Sequence, residues 1–555
     1  MTPDPSRRDE PPRRAAPSKA HPLGGSADVL GGRGAPLNTE RVIVVGAGIG
    51  GLVTALELAA QGVGVLVLER ASQPGGKMRE VSVGGAAMDA GPTVFTMRWV
   101  FEELFDAVGA RLADHLRLQP VGVLARHAWS AHERLDLFAD VARSADAIGA
   151  FAGAQASRGY LEFCARARRI YRTLEQPFLR SARPNPVSLA QRVGLRGLPD
   201  LMRISPFARL WPELGRHFAD PRLRQLFGRY ATYCGASPFL APATLMLVAH
   251  VEQDGVWLVD GGMHRIAQVL ATLARERGAV LRFDAPVSDV LMRDGRACGV
   301  RLVDGEELQA AAVVFNGDVA ALGAGLLGDA VRPAAAPVAP ARRSLSALTW
   351  NLLATTHGFP LSRHTVFFSN DYAAEFDDIR RGRLPASPTV YACAQDRTDD
   401  DTAAPAVERL LMIVNAPANG DAQPFTPEEL TRCEAQTFTQ MARCGLQVER
   451  RPEHTQMTTP QDFERLFPAT GGALYGQASH GWTASFSRPG ARSRVPGLYL
   501  AGGSVHPGPG VPMAALSGRQ AAASVMADRA SARTASRPST RPSRPAATPG
   551  GTSTR

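Results

Sequence analysis

The first sustained apolar signal is a short, continuous β-branched run, Val42 to Val45. A run without alternation predicts a strand buried on both faces. A helical stretch, Leu52 to Gln61, and a second apolar strand, Val63 to Leu68, follow at once. Val81 to Thr96 reads as a short hairpin and a turn. Residues 97 to about 235 are mainly helical by period. Two stretches there set apolar residues against arginines. Arg158 to Arg183 interleaves Tyr160, Leu161, Phe163, Ile170, Tyr171, Phe178 and Leu179 with seven arginines. Val187 to Phe218 sets Val193, Leu201, Met202, Ile204, Phe207 and Leu210 among Arg192, Arg196, Arg203 and Arg209, with Pro199 and Pro206 expected to break it into short helices. That pattern suits a helix lying in a bilayer interface, or one covering the protein's own core.

Further along, Pro238 to Val251 is too short and interrupted to span a membrane and predicts a buried helix beside an apolar pocket. The pattern returns to α/β from Val280. Strands are expected around Phe283 to Val290, at Val300 to Val303 and at Val313 to Phe315. Ser344 to Thr356, Thr365 to Phe368, Thr389 to Cys393 and Leu410 to Val414 read as an antiparallel sheet. Pro427 to Cys444 is one helix, with Thr426 as its cap and Glu428 and Glu429 in its first turn.

The turn between the first strand and helix holds Gly46, Gly48 and Gly51 in G-x-G-x-x-G spacing. Gly46 permits the tight turn, Gly48 lets backbone approach a pyrophosphate, and Gly51 lets the helix pack closely on the strand. The helix N-terminus then aims its free N–H groups at the phosphates. Glu69, eighteen residues after Gly51, ends the second strand near the offset of a ribose acceptor. With strand, helix and acid all in place, the fingerprint predicts a dinucleotide site. By itself it leaves NAD and FAD open.

Composition narrows the class. The hydrophobic fraction of 45% is that of a globular protein. Of the net charge of +10, residues 1–38 hold +2 and residues 529–555 hold +6, leaving +2 for the body. The charge is a property of Pro-, Gly- and Arg-rich tails expected to be disordered, and no nucleic-acid partner is expected. The six cysteines form no C-x-x-C pair, which together with the lack of an apolar leader suggests reduced thiols and a cytoplasmic protein. The two histidines of HAWSAH at 127–132 lack the spacing of ligands on one helical face, and no metal site is expected.

Beyond the fingerprint, QPGGKMR at 73–79 and LYLAGGSVHPGPGVPMAALSG at 498–518 resemble glutathione-reductase-like flavoproteins of the amine oxidase and carotenoid desaturase type. An extended dinucleotide with a flavin at one end needs such a second segment, so the resemblance implies FAD. Together with DAGPT at 89–93, RYATY at 229–233, VDGGMH at 259–264 and LYG at 474–476, the chain from about 40 to 528 resembles the bacterial carotenoid (phytoene-type) desaturases. RSLSALTWNLLA, RHTVFFSNDYAAEFDDI and TVYACAQDR are most similar to the 1-hydroxycarotenoid 3,4-desaturases of that family, although Thr365 stands where Asn is expected.

The resemblance implies an α/β, Rossmann-like FAD-binding domain assembled from 39–96, 255–325 and 485–528. An α+β substrate domain would come from 236–254 and 326–484, and a helical, membrane-facing region from 97–235. It implies that Gly75, Gly76 and Lys77 pass near the cofactor and that Asp89 to Thr93 run past the flavin ring. It also implies that Val287 contacts the adenine side through its backbone, and that Gly503, Ser504 and Val511 lie at the flavin end. Ser504 stands where many flavoproteins carry an Asp. The implied reaction extends a polyene's conjugation: two hydrogens leave a saturated C–C bond for FAD, and quinone or oxygen takes the electrons. The expected substrate is a 1-hydroxycarotenoid such as 1-hydroxyneurosporene, taken from a lipid surface by a peripherally bound enzyme. A phytoene desaturase, a carotenoid oxidase or isomerase, an amine oxidase and a prenyl-binding non-enzyme are the alternatives. His264 and His506 lie near the flavin by position in the pattern, and no catalytic residue is assigned.

Overall fold

Five parallel strands make the floor of the nucleotide-binding half. A computed structural model describes residues 40–182, 184–398 and 405–535. The strand order across this sheet is Val280–Arg282, Val65–Leu68, Val42–Val45, Ala312–Phe315, Leu498–Leu500. The central strand pairs Val42 with Val65 on one side and with Ala312 on the other. Alternate side chains face two separate cores. Val42, Val44, Val65 and Val67 pack with the helices Ile49–Ala60, His264–Glu276 and Val511–Ala535. Ile43, Leu66, Leu68 and Val313 pack against a three-stranded antiparallel sheet, Val287–Arg293, Arg296–Leu302 and Glu307–Gln309. Covering both faces is the physical reason these strands are continuous apolar runs. The chain leaves the central strand first to one side and later to the other, which opens a crevice at the strands' carboxyl ends.

An eight-stranded sheet forms the second half. Its long strand, Ser346–His357, pairs antiparallel with Glu408–Ala416, which pairs with Val390–Ala394, which pairs with His364–Phe367. The helix Pro427–Arg443 packs on it; Thr426 caps it as the sequence predicts, and Glu429 closes a reciprocal capping box.

The structure corrects three expectations and refines a fourth. The region 97–235 is mainly helical and also carries two strands of the substrate sheet: Val123–Ala128 and Arg134–Phe138 extend it, and Val123–Ala128 joins His364–Phe367 in parallel. That sheet is therefore mixed. The strand expected around Phe283 to Val290 is two strands, broken where Asp284 takes φ of 52°. The helix Pro186–Arg203 runs past Pro199 and is broken at Gly194, which has φ of 66°. Finally, the C-terminal helix continues to Ala535, past the expected boundary at 528. The other tail residues, 1–38 and 536–555, lie outside the described residues.

The two arginine-rich stretches part company. In Ala154–Leu174, Tyr160, Phe163, Ile170 and Tyr171 are buried in the core and only Leu161 is exposed, so this helix covers the protein's own interior. In the second stretch Val187, Met202 and Phe207 are exposed, at 60% or more. Among the described residues no helix is long and apolar enough to cross a membrane.

Candidate functional site

One cavity of about 1130 Å³ spans both halves. Its lining includes Gly46, Gly48, Gly50, Glu69, Gly75, Gly76 and Val287. Lys77, Gly91, Thr93, Gly503, Ser504 and Val511 line it as well, with Leu245, Val248, Val251, Leu411 and Ile413. So do Leu189, Leu201, Ile204, Pro206, Trp482 and Phe486. Most of the lining is apolar, and the volume exceeds the roughly 300–1,000 Å³ usual for one small ligand.

The glycine loop is built by close approach. A Cβ on Gly51 would stand 2.1 Å from the Gly46 carbonyl oxygen, and Gly51 accordingly holds the helix on the strand without lining the cavity. A Cβ on Gly48 would meet the Asn316 amide at 2.9 Å. Asn316, at the end of its strand, donates from Nδ2 to the Gly46 carbonyl at 3.2 Å and braces the loop from beneath. Gly75 donates to the Ala47 carbonyl at 2.9 Å, and Gly76, with φ of 60°, lies against Gly48. The pair buttresses the loop from the other side. Glu69 is buried and accepts from the amides of Ala47 at 2.6 Å and Ala71 at 2.9 Å. A carboxylate has about four lone-pair sites, so two remain for a ligand.

Two helix N-termini meet this cavity: that of Ile49–Ala60 and that of Val511–Ala535. Their first amides have no partner inside the helix and favour anionic groups. Lys77 donates to the Leu474 carbonyl at 2.7 Å and stands 3.9 Å from Asp318. Burial pushes its pKa down, and the Asp318 carboxylate partly offsets that. Thr93 shares a 2.6 Å hydrogen bond with the Tyr391 hydroxyl. Ser504 accepts from the Val319 amide at 3.1 Å.

Three residues singled out by position have structural partners. Asp89 accepts from the amides of Met263 at 2.7 Å and His264 at 3.0 Å, so its carboxylate caps the helix His264–Glu276. His264 Nε2 lies 2.8 Å from the Pro74 carbonyl. His506 Nε2 lies 2.9 Å from the Phe178 carbonyl, and burial pushes its pKa down to about 4, which keeps it neutral at physiological pH. Neither histidine lines the cavity.

Sequence reasoning passed over Arg488. It is 3% exposed and touches the cavity. It donates to three backbone carbonyls: Tyr475 at 3.0 Å, Gln477 at 2.7 Å and Gly503 at 3.1 Å. Burial pushes its pKa down. Its guanidinium ties the segment before the last strand to the Gly502-Gly503 turn. Arg488→Leu leaves three carbonyls without their donor, at about 1–3 kcal/mol each less the relief of a buried charge. The variant is expected to melt several degrees lower and to purify with substoichiometric flavin, read from the ratio of 450 to 280 nm absorbance.

A glycine turn, a buried carboxylate with open lone pairs and two helix N-termini on one cavity fit FAD and define a flavin-dependent oxidoreductase. The chain matches the family described as flavin containing amine oxidoreductase over residues 49–526 and belongs to it. It is 61% identical over 494 residues to a hydroxyneurosporene desaturase of Rubrivivax gelatinosus, covering 89% of this chain and 94% of that protein. It is 44% identical to a hydroxyneurosporene desaturase of Cereibacter sphaeroides, covering 88% and 98%. Within the flavin family the chain is thus a member of the carotenoid desaturases. Putrescine oxidase bound to putrescine superposes with a TM-score of 0.54 at 17% identity, covering 88% of this chain and 99% of that one, which shows the shared fold alone.

Proposed function

We propose that this enzyme introduces a C=C bond at the 3,4 position of a hydroxylated acyclic carotenoid such as 1-hydroxyneurosporene. The single observation that carries the reading to a long hydrocarbon is the cavity itself, in which the nucleotide site runs on without a break into an apolar passage. A polyene offers almost nothing to hydrogen-bond, so apolar walls are what it needs. FAD, when bound, supplies the two-electron acceptor.

The residues divide the work along the cavity. Gly46, Gly48 and the helix they open cradle the pyrophosphate, with Gly51, Gly75 and Gly76 holding that loop in shape. Glu69 takes the ribose and the backbone at Val287 the adenine side. Lys77, Thr93, Gly503, Ser504 and Val511 border the flavin end. The apolar walls orient the chain and exclude water.

The outer end of the passage supports loading from a lipid surface. Trp482 lines the cavity yet is 41% exposed. Its ring meets Phe207 at 5.1 Å, and Val187 and Met202 are exposed on the helix whose Leu189 and Leu201 line the cavity. Arg192, Arg203 and Arg209 are exposed around them. Exposed apolar residues rimmed by cations suit an anionic bilayer interface. Quinone or oxygen is the proposed electron acceptor.

The test is a substrate panel. Purified enzyme in liposomes receives 1-hydroxyneurosporene, neurosporene and phytoene, and product spectra are recorded. A red-shift confined to the hydroxylated substrate is the expected result. Conversion of phytoene would instead make this an early desaturase, and no conversion of any would overturn the carotenoid reading.

A further inference from the structure

Arg229, Tyr233 and Glu252 form a polar cluster in the lining of the cavity. Arg229 lies in a short 3₁₀ segment, Arg229–Cys234, is 8% exposed and lines the cavity. Among the described residues its guanidinium finds one hydrogen-bond acceptor, the Tyr233 hydroxyl at 2.7 Å. Its Nε is enclosed without a partner, and no carboxylate lies within ion-pair distance. The group rests over the rings of Tyr233 at 4.9 Å and Tyr391 at 5.9 Å. Burial alone would disfavour this guanidinium, and attraction to Tyr233 and the Glu252 carboxylate offsets it, while among the described residues most of its N–H groups still lack an acceptor.

Glu252 lines the same stretch of cavity. Its Oε2 accepts from the Tyr230 hydroxyl at 2.7 Å, and Tyr233 stands against the same carboxylate. Two tyrosines leave part of the carboxylate's acceptor capacity open. The cavity lining therefore presents an N–H donor with open capacity and a carboxylate acceptor with open capacity, both meeting Tyr233, with Leu245, Val248 and Val251 also in the lining. An alcohol both accepts and donates. A hydrocarbon end does neither.

The placement matches the chemistry. In a 1-hydroxycarotenoid the hydroxyl carbon is two bonds from C3, so any group that recognises it must sit beside the reacting bond and not at the far end of the passage. Tyr391, under the Arg229 guanidinium, bonds through its hydroxyl to Thr93, on the segment bordering the flavin end. The polar spot thus lies at the junction of the two parts of the cavity.

We propose that Arg229, Tyr233 and Glu252 receive the substrate's tertiary hydroxyl and set the enzyme's choice of a hydroxylated chain end over a hydrocarbon one. This assignment rests on the hydroxycarotenoid reading above. Arg229 donates to the hydroxyl oxygen, and the hydroxyl proton faces Glu252. The three act on specificity and are given no part in breaking the C–H bonds.

The experiment compares kcat/KM for 1-hydroxyneurosporene with that for neurosporene in flavin-loaded enzyme in liposomes, for the wild type, Arg229→Met, Arg229→Lys, Tyr233→Phe and Glu252→Gln. A site built to pair a substrate hydroxyl rejects the analogue lacking it by large factors. Arg229→Met is expected to lower the hydroxyl-to-hydrocarbon ratio by about 100-fold, and the single-hydroxyl change Tyr233→Phe by about 10-fold. Arg229→Lys, which keeps a cationic donor, recovers part of the loss. Flavin content reports whether each variant folds. If Arg229→Met does not hold flavin, Tyr233→Phe and Glu252→Gln decide. A wild-type ratio retained in both of those overturns the assignment. A wild-type ratio near one sinks the hydroxycarotenoid reading itself, and this assignment with it.

Discussion

Gly51→Ala is expected to purify colourless. A Cβ at this position lies 2.1 Å from the Gly46 carbonyl oxygen and 2.9 Å from Asn316 Nδ2. Neither neighbour has room to yield. The Gly46 carbonyl already accepts from Asn316, and Gly46 itself sits at φ of 99°, a conformation that only glycine adopts without strain. The helix Ile49–Ala60 must therefore lift away from the strand Val42–Val45, moving the N-terminal amides proposed to hold the pyrophosphate. Overpacking of this kind costs about 1–3 kcal/mol in structure. A comparable loss of binding energy lowers FAD affinity by ~100-fold, since 1.4 kcal/mol is a factor of ten. The flavin band at 450 nm and a melt with and without added FAD check this. A variant that holds stoichiometric flavin would show that the close approach at Gly51 is not what shapes the loop.

Glu375→Gln is expected to stabilise the protein at neutral pH. Glu375 is 1% exposed, in the helix Tyr372–Arg380. It accepts from the Thr389 amide at 3.0 Å and from Asn415 Nδ2 at 3.1 Å. Among the described residues it has no cationic partner within ion-pair distance. Burial pushes its pKa up to about 7. The native state therefore keeps a proton that the unfolded chain releases near the ordinary value of 4.5. The stabilisation is complete below pH 4.5, declines across the window from 4.5 to 7, and is gone above it. Over two and a half pH units this amounts to on the order of 3 kcal/mol. Glutamine stays neutral throughout, and the Asn415 amide can turn to meet it. Urea melts at several pH values between 4.5 and 8 should show wild type and variant converging at the acid end, with the variant more stable above pH 7. Parallel curves would mean that the carboxyl titrates normally.

The difference between what could and could not be read in advance lies in distance along the chain. Gly46, Gly48 and Gly51 declare themselves because the strand, turn and helix that need them lie within a few residues. The Thr426 cap and the acidic first turn that follows it were legible for the same reason. Asp89 was read as part of an element running past the flavin ring, and its capping role was hidden because the amides it caps lie 174 and 175 residues away. Asn316, which braces the glycine loop across 270 residues, reads in the sequence as the end of a strand. Arg488 reads as one arginine among many, since its acceptors are carbonyls, which no side-chain pattern records. His264 and His506 each turn Nε2 to a backbone carbonyl, and neither lines the cavity.

The two arginine-rich stretches make the same point from the other side. Both alternate apolar and basic residues at helical spacing, and amphipathic period alone does not say what the apolar face meets. Packing decided it: the core takes Tyr160, Phe163 and Ile170, and leaves Val187, Met202 and Phe207 outside.

By itself the sequence determined a dinucleotide-binding α/β lobe, an FAD-type second segment and membership of a carotenoid-oxidising family. Those features depend on local backbone geometry and on motifs written in consecutive residues. The tertiary structure alone decided that the nucleotide site and the apolar passage are one cavity. It also decided that strands from the helical region complete the substrate sheet, and that Arg229, Tyr233 and Glu252 share one wall. Those facts arise from contacts between segments far apart in the chain, whose pairing is set by how whole faces pack and not by any residue's neighbours.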